Sequence, residues 1–368
     1  MTPRSSRRRD AVSGIIAIVA LLFVATVWVI QEFTDIDLGI LYPDEHGPAG
    51  VSPTATDDWY QIYFTVPQKE LTWTGGLDET LAADIDRAQH SVDVAAYEFN
   101  LESVTRALIR AHNRGVRVRM VTDSDHIALD QPLDLIDAGI PVVEDSRSAI
   151  MHNKFVVIDE RITWTGSWNL TDNCTYRNNN NALRIEWPEM ATNYGAEFDE
   201  MFDRQQFGPG SPAGTPYPVL RINGSEIWTL FAPEDGVIDK VIEVVSGAQD
   251  SIRLMAFSFT DQALAAAMLA RAAEGVLVEA VFESRGSGTV YSQYGTLSDA
   301  GLRVWRDGNP ALMHHKVIII DRAIVITGSF NFSASANQSN DENLLIIYDS
   351  GIAAEYLKEF DRVVAGAD

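Results

Sequence analysis

The sequence predicts an α/β protein built from two copies of one α/β/α domain, packed as an internal pseudo-dimer behind a single N-terminal transmembrane helix. Three observations carry this. Short β-branched runs alternate with amphipathic stretches from residue 77 onward. The same order of segments recurs 160 to 162 residues later. Residues 11–30, AVSGIIAIVALLFVATVWVI, carry no formal charge.

At about 1.5 Å per residue that apolar segment spans roughly 30 Å, the hydrocarbon thickness of a bilayer. Arg4, Arg7, Arg8 and Arg9 precede it, so residues 1–10 are expected in the cytoplasm and Trp28 at the far interface. The rest of the chain is then expected outside the cytoplasm, held at the cell membrane. The alternative is a cleaved signal peptide and secretion, which would favour a shorter apolar region and a small-residue cleavage site. Residues 31–70 are rich in Pro, Asp, Gly and Thr and are expected to form a linker or arm. Within them WYQIYFTV, residues 59–66, has strand character, and its pairing is left open.

The first domain is expected over residues 71–207. Leu77, Leu81, Ile85 and Ala88 step at helical spacing, which predicts a helix over 77–89. A strand over 91–97, a helix over 101–113 and a strand over 116–122 follow, with Gly115 as a C-cap. A helix near 133–138 and a short strand at 140–143 lead into a hairpin. Residues 208–224, opening GPGSPAGTPYP, form the connector, and residues 225–368 the second domain. Ala88-Gln89-His90-Ser91 matches Ala248-Gln249-Asp250-Ser251, and Ala96-Tyr97-Glu98-Phe99 matches Ala256-Phe257-Ser258-Phe259. The offset grows from 160 to 162 by Ala138-Gly139 and Ala300-Gly301, so two residues are inserted between. Two long copies make a duplicated domain, not a solenoid.

Composition excludes some functions. The 46% apolar and 22% charged content is that of a folded protein. The lone Cys174 allows neither an intramolecular disulfide nor a cysteine metal site, and is expected as a packed thiol. Net charge is −24; the first ten residues contribute +3, leaving −27 on the remainder. Such a body lacks the basic footprint of a non-specific duplex-DNA binder, and plain solubility is its simplest reading.

The chemistry lies in the doubled stretch. Residues 313–343 contain His314, Lys316, Asp321, Gly328-Ser329-Phe330-Asn331 and Asp341-Glu342-Asn343. Residues 151–181 contain His152, Lys154, Asp159, Gly166-Ser167-Trp168-Asn169 and Asn180-Asn181, each 162 residues earlier. The run 317–320 reads as a buried strand, so His314 and Lys316, two apart, share one face, whereas His315 faces away and reads as structural. A second run, 324–327, suggests a hairpin returning Ser329 and Asn331 towards them. A lone H-x-K is a weak signal; a doubled H-x-K-x4-D, with G-S-x-N after each Asp, is a strong one.

At these residues the chain resembles the phospholipase D superfamily, over residue 71 to the end. The Ser-Phe-Asn-Phe and Glu-Asn of the second copy are most similar to the bacterial nuclease branch. The resemblance implies that both half-sites converge on one phosphate, with His152, Lys154, Asp159, His314, Lys316, Asp321 and Glu342 as the candidate catalytic set. It implies phosphate-binding or support for Ser167, Asn169, Asn180, Asn181, Ser329, Asn331 and Asn343. One imidazole would attack phosphorus to give a phosphohistidine, and the other would protonate the leaving oxygen and then activate water. The residue types suit this without a metal or other cofactor, since no carboxylate cluster accompanies the motifs. Asp159 and Asp321 fit a supporting role at a hairpin end better than direct chemistry.

Glu342 has Asn180 as its counterpart, so the halves are chemically unequal. In the family this acid accepts from an imidazole Nδ1–H, and an anion favours imidazolium. The expectation is His314, backed by Glu342, as general acid and His152 as nucleophile. A phospholipid, met at the anchoring membrane, is the leading substrate; nucleic acid is the alternative, and transfer to an alcohol is a second one. With both half-sites in one chain, a monomer suffices.

Overall fold

Each half of the chain folds its strands into one eight-stranded mixed sheet, and the two sheets have the same topology. The first contains Ala55–Thr56 (β1), Tyr60–Phe64 (β2), Ser91–Ala96 (β3), Arg117–Thr122 (β4), Val142–Glu144 (β5), Lys154–Ile158 (β6), Ile162–Gly166 (β7) and Asn181–Glu186 (β8). Its order is β1-β2-β8-β7-β6-β3-β4-β5, with β3, β4 and β5 parallel and the other pairs antiparallel. The second contains Val219–Ile222 (β9), Ser225–Ala232 (β10), Ser251–Ala256 (β11), Leu277–Phe282 (β12), Arg303–Arg306 (β13), Lys316–Ile320 (β14), Ile324–Gly328 (β15) and Glu342–Tyr348 (β16). Read from its other edge it runs β9-β10-β16-β15-β14-β11-β12-β13, the same arrangement. This computed structural model describes residues 51–68 and 72–367. The membrane helix expected at 11–30 and the basic residues 1–10 lie outside the described residues. Among those described, no helix is long and apolar enough to cross a membrane.

The central strands are apolar on both faces because both are covered. Phe155 and Val157 of β6, with Val317 and Ile319 of β14, enter one core shared by the two halves. Val156 and Ile158 face a separate core in the first half, and Ile318 and Ile320 another in the second. Two long helices fill the shared core. Pro188–Arg204, opened by Pro at a first-turn position where no N–H is needed, supplies Met190, Tyr194, Phe198 and Met201. Ser350–Val364, capped by the Asp349 carboxylate on the N–H groups of Gly351 and Ile352, supplies Ile352, Tyr356 and Phe360. Each such side chain stabilises the packing by about 1.5–3 kcal/mol, and Phe198→Ala is expected to cost about 3–5 kcal/mol.

Two expected boundaries shift. The stretch expected as an arm contributes β2, which pairs along its length with β8, so the first sheet begins well before residue 71. Likewise β9, inside the expected connector, pairs with β10. Tyr60, Ile62, Tyr63 and Phe64 are buried there, and that burial holds the segment on the sheet edge.

Candidate active site

The catalytic hairpins are β6–β7 and β14–β15. Each turns on two residues at positive φ, Asp159 and Glu160 at 53° each, and Asp321 and Arg322 at 51° and 55°. This is the two-residue geometry whose twist matches the flanking strands. Asp159 is held there by its carboxylate, which accepts the backbone N–H groups of Gln89, His90 and Ser91 at 2.7–3.1 Å. Asp321 does the same with Gln249, Asp250 and Ser251 at 2.7–2.9 Å. Burial pushes both carboxyls up, but these N–H groups outweigh it and hold them below the ordinary Asp range. A five-residue strand, about 16 Å, separates each Asp from the Lys of its motif. The structure therefore removes Asp159 and Asp321 from the candidate catalytic groups and leaves them as ties between hairpin and sheet.

At the other end of those strands the two repeats lace together. His152 N–H donates to Asp341 O at 2.9 Å and Asp341 N–H to Ile150 O at 3.1 Å; His314 N–H donates to Asn179 O at 2.8 Å and Asn179 N–H to Leu312 O at 2.9 Å. Each motif His is thus anchored by backbone to the opposite copy. Lys154 Nζ donates to His152 O at 2.7 Å and Lys316 Nζ to His314 O at 3.0 Å. Tyr97 packs edge-on to His152 with ring centroids 5.0 Å apart, and Phe257 to His314 at 4.6 Å. The same rings lie under the Lys154 and Lys316 ammoniums.

The imidazole partners cross as well, which corrects the expected pairing. Glu342 accepts from His152 Nδ1 at 2.7 Å, while His314 Nδ1 faces Asn180 Oδ1 and Ser167 O, each at 3.0 Å. Asn180 is oriented by donating its Nδ2 to Cys174 O at 2.9 Å, so its oxygen faces the ring. Two acceptors at His314 Nδ1 place the hydrogen there and leave Nε2 with its lone pair in the neutral ring. Ser329 Oγ donates to Glu342 at 2.7 Å, and Ser167 Oγ to Asn180 at 3.2 Å. The short helices Asp172–Tyr176 and Ala334–Gln338, capped by Thr171 and Ser333, carry the chain from G-S-x-N to these partners.

Electrostatics join the four motif groups in one site. Burial, then Lys154 and Lys316, hold His152 well below the ordinary imidazole value. Burial and the same two lysines do so for His314. Burial lowers Lys154 to about 8 and, with Lys154 nearby, pushes Lys316 well below its ordinary value. Burial lifts Glu342 to about 7 against the pull of Lys154. Two buried lysines with no carboxylate in direct contact leave the site short of negative charge. Asn169 Oδ1 and Asn331 Oδ1 are buried without a hydrogen-bond partner.

Asn181 and Asn343 stand behind the site. Asn181 Nδ2 donates to Thr327 Oγ1 at 2.8 Å and Tyr356 OH at 2.9 Å; Asn343 Nδ2 donates to Asn153 Oδ1 at 2.8 Å. They brace the two sheets together. His315 is fully buried and pairs with Glu359 at 2.7 Å. Trp164, Trp168 and Phe330 pack into the outer cores. Tyr97 and Phe257 are the site residues that motif reading alone passes over; their match across the repeat was the available signal.

The family model described as "Cardiolipin synthase, PLD-like domain" matches residues 81–202 and 241–364. The chain is 31% identical to a phospholipase D of Rickettsia bellii over 46% of its own length and 83% of that protein. It is 36% identical to a mitochondrial cardiolipin hydrolase of Xenopus laevis over 35% of its own length and 61% of that protein. The phosphatidylserine synthase of Haemophilus influenzae superposes with a TM-score of 0.63 over 83% of this chain and 87% of that one; at 15% identity the likeness is one of fold. The chain belongs to the phospholipase D superfamily and is a phosphodiesterase of that type.

Proposed function

We propose that this chain hydrolyses phospholipid head-group esters in two steps, with His152 as nucleophile and His314 as general acid and base. The crossed pairing carries the reading. Glu342 holds the Nδ1 proton of His152, leaving Nε2 free to attack, and its carboxylate stabilises the positive ring that N-phosphorylation creates. The carboxylate expected behind His314 stands behind His152 instead, and it favours the same assignment of roles. His314, backed only by neutral oxygens, gives up its Nε2 proton to the leaving alcohol more readily than a carboxylate-backed ring would.

Written out, the His152 Nε2 lone pair forms the N–P bond while the P–O bond to the head group breaks, and His314, entering this step as imidazolium with both nitrogens protonated, passes its Nε2 proton to that oxygen. In the second step His314 takes a proton from water, the water oxygen bonds to phosphorus, and the N–P bond breaks. Lys154, Lys316, Asn169 and Asn331 would neutralise the charge on the phosphoryl oxygens in both transition states. An alcohol in place of water gives transfer instead. The lipid reading is supported by relatives named for phospholipid hydrolysis, by the acidic surface and by the apolar segment at 11–30. We place the catalytic region outside the cytoplasm, tethered by that segment, and acting as a monomer.

The test offers the purified full chain phosphatidylcholine, cardiolipin and single-stranded DNA in parallel. Choline or phosphatidate release is expected, and rapid quenching should trap a phosphatidyl-enzyme that His152→Asn does not form. DNA cleavage with no lipid turnover would transfer the assignment to a nuclease. A trapped intermediate surviving in His152→Asn but lost in His314→Asn would exchange the two histidines.

A further inference from the structure

The two long helices of the shared core are fastened differently, and the difference is chemical. In the second half, Glu359 is buried between His315 Nε2 at 2.7 Å and the guanidinium of Arg362, whose nitrogens donate to it at 2.6 and 2.7 Å. Arg362 also reaches the carbonyl of Thr65, just beyond β2 of the first sheet, at 3.4 Å. A built-in cation therefore ties the second helix to the first sheet.

The repeat offset of 162 places Asn153, Glu197 and Glu200 where the second half has His315, Glu359 and Arg362. The imidazole and the guanidinium are both gone, and a carboxylate has taken the place of the guanidinium. Glu234, in the turn after β10 of the second sheet, brings a third, and carboxylate oxygens of Glu197, Glu200 and Glu234 lie within 4.8 Å of one another. Glu197 and Glu200 are each 7% exposed. Glu197 accepts from Asn153 Nδ2 at 3.2 Å, whereas Glu200 Oε1 and Glu234 Oε2 are buried with no hydrogen-bond partner. Arg204, on the next turn of the helix, attracts Glu200 only from an exposed position. Three carboxylates converging on buried, unpartnered oxygens lack the positive charge that their counterpart contains.

We infer that Glu197, Glu200 and Glu234 bind one hard divalent cation, which fastens the first-half helix to the second sheet as Arg362 fastens its counterpart. Calcium fits best. It accepts oxygens at about 2.3–2.6 Å in flexible geometry, so three carboxylates from separate segments can hold it without the near-ideal octahedron that magnesium demands. The cluster does not accompany the linear motifs; its three residues come from two distant segments. The ion would sit behind the segment that carries His152 into Lys154 of β6, on the side of Asn153, and take no part in bond-making. Burial lifts Glu197 well above its ordinary value and Glu234 to about 8, as expected of carboxyls that lack their counter-ion.

The test is calorimetric titration of the chelator-treated full chain with calcium chloride, alongside thermal unfolding. One equivalent should bind, with a rise in Tm of roughly 5 °C at a hundredfold excess over the dissociation constant. Glu200→Gln should lose that response, and Glu200→Arg should unfold at a raised temperature that calcium no longer changes. No binding heat and no Tm shift with millimolar calcium, magnesium or manganese in the unaltered chain would overturn the site. So would a calcium response unchanged in both variants. These readouts are independent of turnover, so they stand apart from the lipid assay.

Discussion

Glu342 lies 2.7 Å from the imidazole of His152, a residue 190 positions away in the other repeat. One proton is shared between a ring that burial and two lysines hold neutral and a carboxyl that burial lifts to about 7. Glu342→Gln keeps the shape but offers no anion to stabilise the phosphorylated ring. We expect kcat to fall about 10²–10⁴-fold with KM within a few-fold, measured by initial rates on the lipid substrate. A variant losing less than threefold in kcat would remove Glu342 from the mechanism.

Asn180 is the neutral half of the same device. Because His314 is held well below its ordinary value, kcat/KM should fall as pH rises on the acid side of the ordinary imidazole range, where the free enzyme loses the acid form. Asn180→Glu places an anion against His314 Nδ1, with Ser167 already positioned as Ser329 is for Glu342. An anion favours imidazolium, so the folded pKa rises and the falling limb should move up by about one pH unit. A pH–rate profile of kcat/KM decides this, and a limb that stays in place or moves to lower pH contradicts the general-acid role.

Asp159 tests structure apart from chemistry. Asp159→Asn removes a charge accepted from three backbone N–H groups, and we expect a loss of about 2 kcal/mol in unfolding free energy. The sign follows from the depressed folded pKa: this stabilisation is present above the unfolded value and is lost as pH falls through the folded one. Denaturant unfolding of the two proteins should therefore converge in strong acid and diverge at neutral pH. The kcat of the folded variant should remain within about threefold of the unaltered chain, since about 16 Å of strand separates the carboxyl from Lys154.

How far the sequence carried these conclusions depends on which contacts were local. The hairpins were legible because β-branched runs and the Asp that ties each turn lie within one short stretch. His152 with Lys154, and His314 with Lys316, were legible because alternation along a strand sets their common face. The exchange of imidazole partners was not. Glu342 is nearer His314 than His152 along the chain, and only the pseudo-two-fold packing brings it to the other ring. β2 was ambiguous for a similar reason: its apolar residues signal a strand, but the partner β8 lies more than a hundred residues on. Glu234 carried no signal at all, since a turn carboxylate has meaning only beside the helix it faces.

Gly166 and Gly328 explain why the G of G-S-x-N is fixed by packing. Their φ angles are +145° and +158°, and a Cβ on either would lie 2.3 Å from Asn181 O or 2.2 Å from Asn343 O. Those carbonyls belong to β8 and β16, rigid neighbours that also accept the N–H of Ser167 and Ser329 at 3.0 Å. A methyl group at Gly328 must therefore part β15 from β16 where Ser329 Oγ reaches Glu342. Overpacking against backbone costs about 1–3 kcal/mol, and the unfavourable φ adds to it. Gly328→Ala should lower Tm by several degrees and, because Glu342 loses its Ser329 donor, reduce kcat more than Ser329→Ala alone does. Gly166→Ala, whose displaced Ser167 touches the neutral Asn180 and, through its carbonyl, His314 Nδ1 but no carboxylate, should destabilise comparably and reduce kcat less. Equal kcat losses in the two alanine variants would show that the glycines matter through stability alone, not through the partner each one positions.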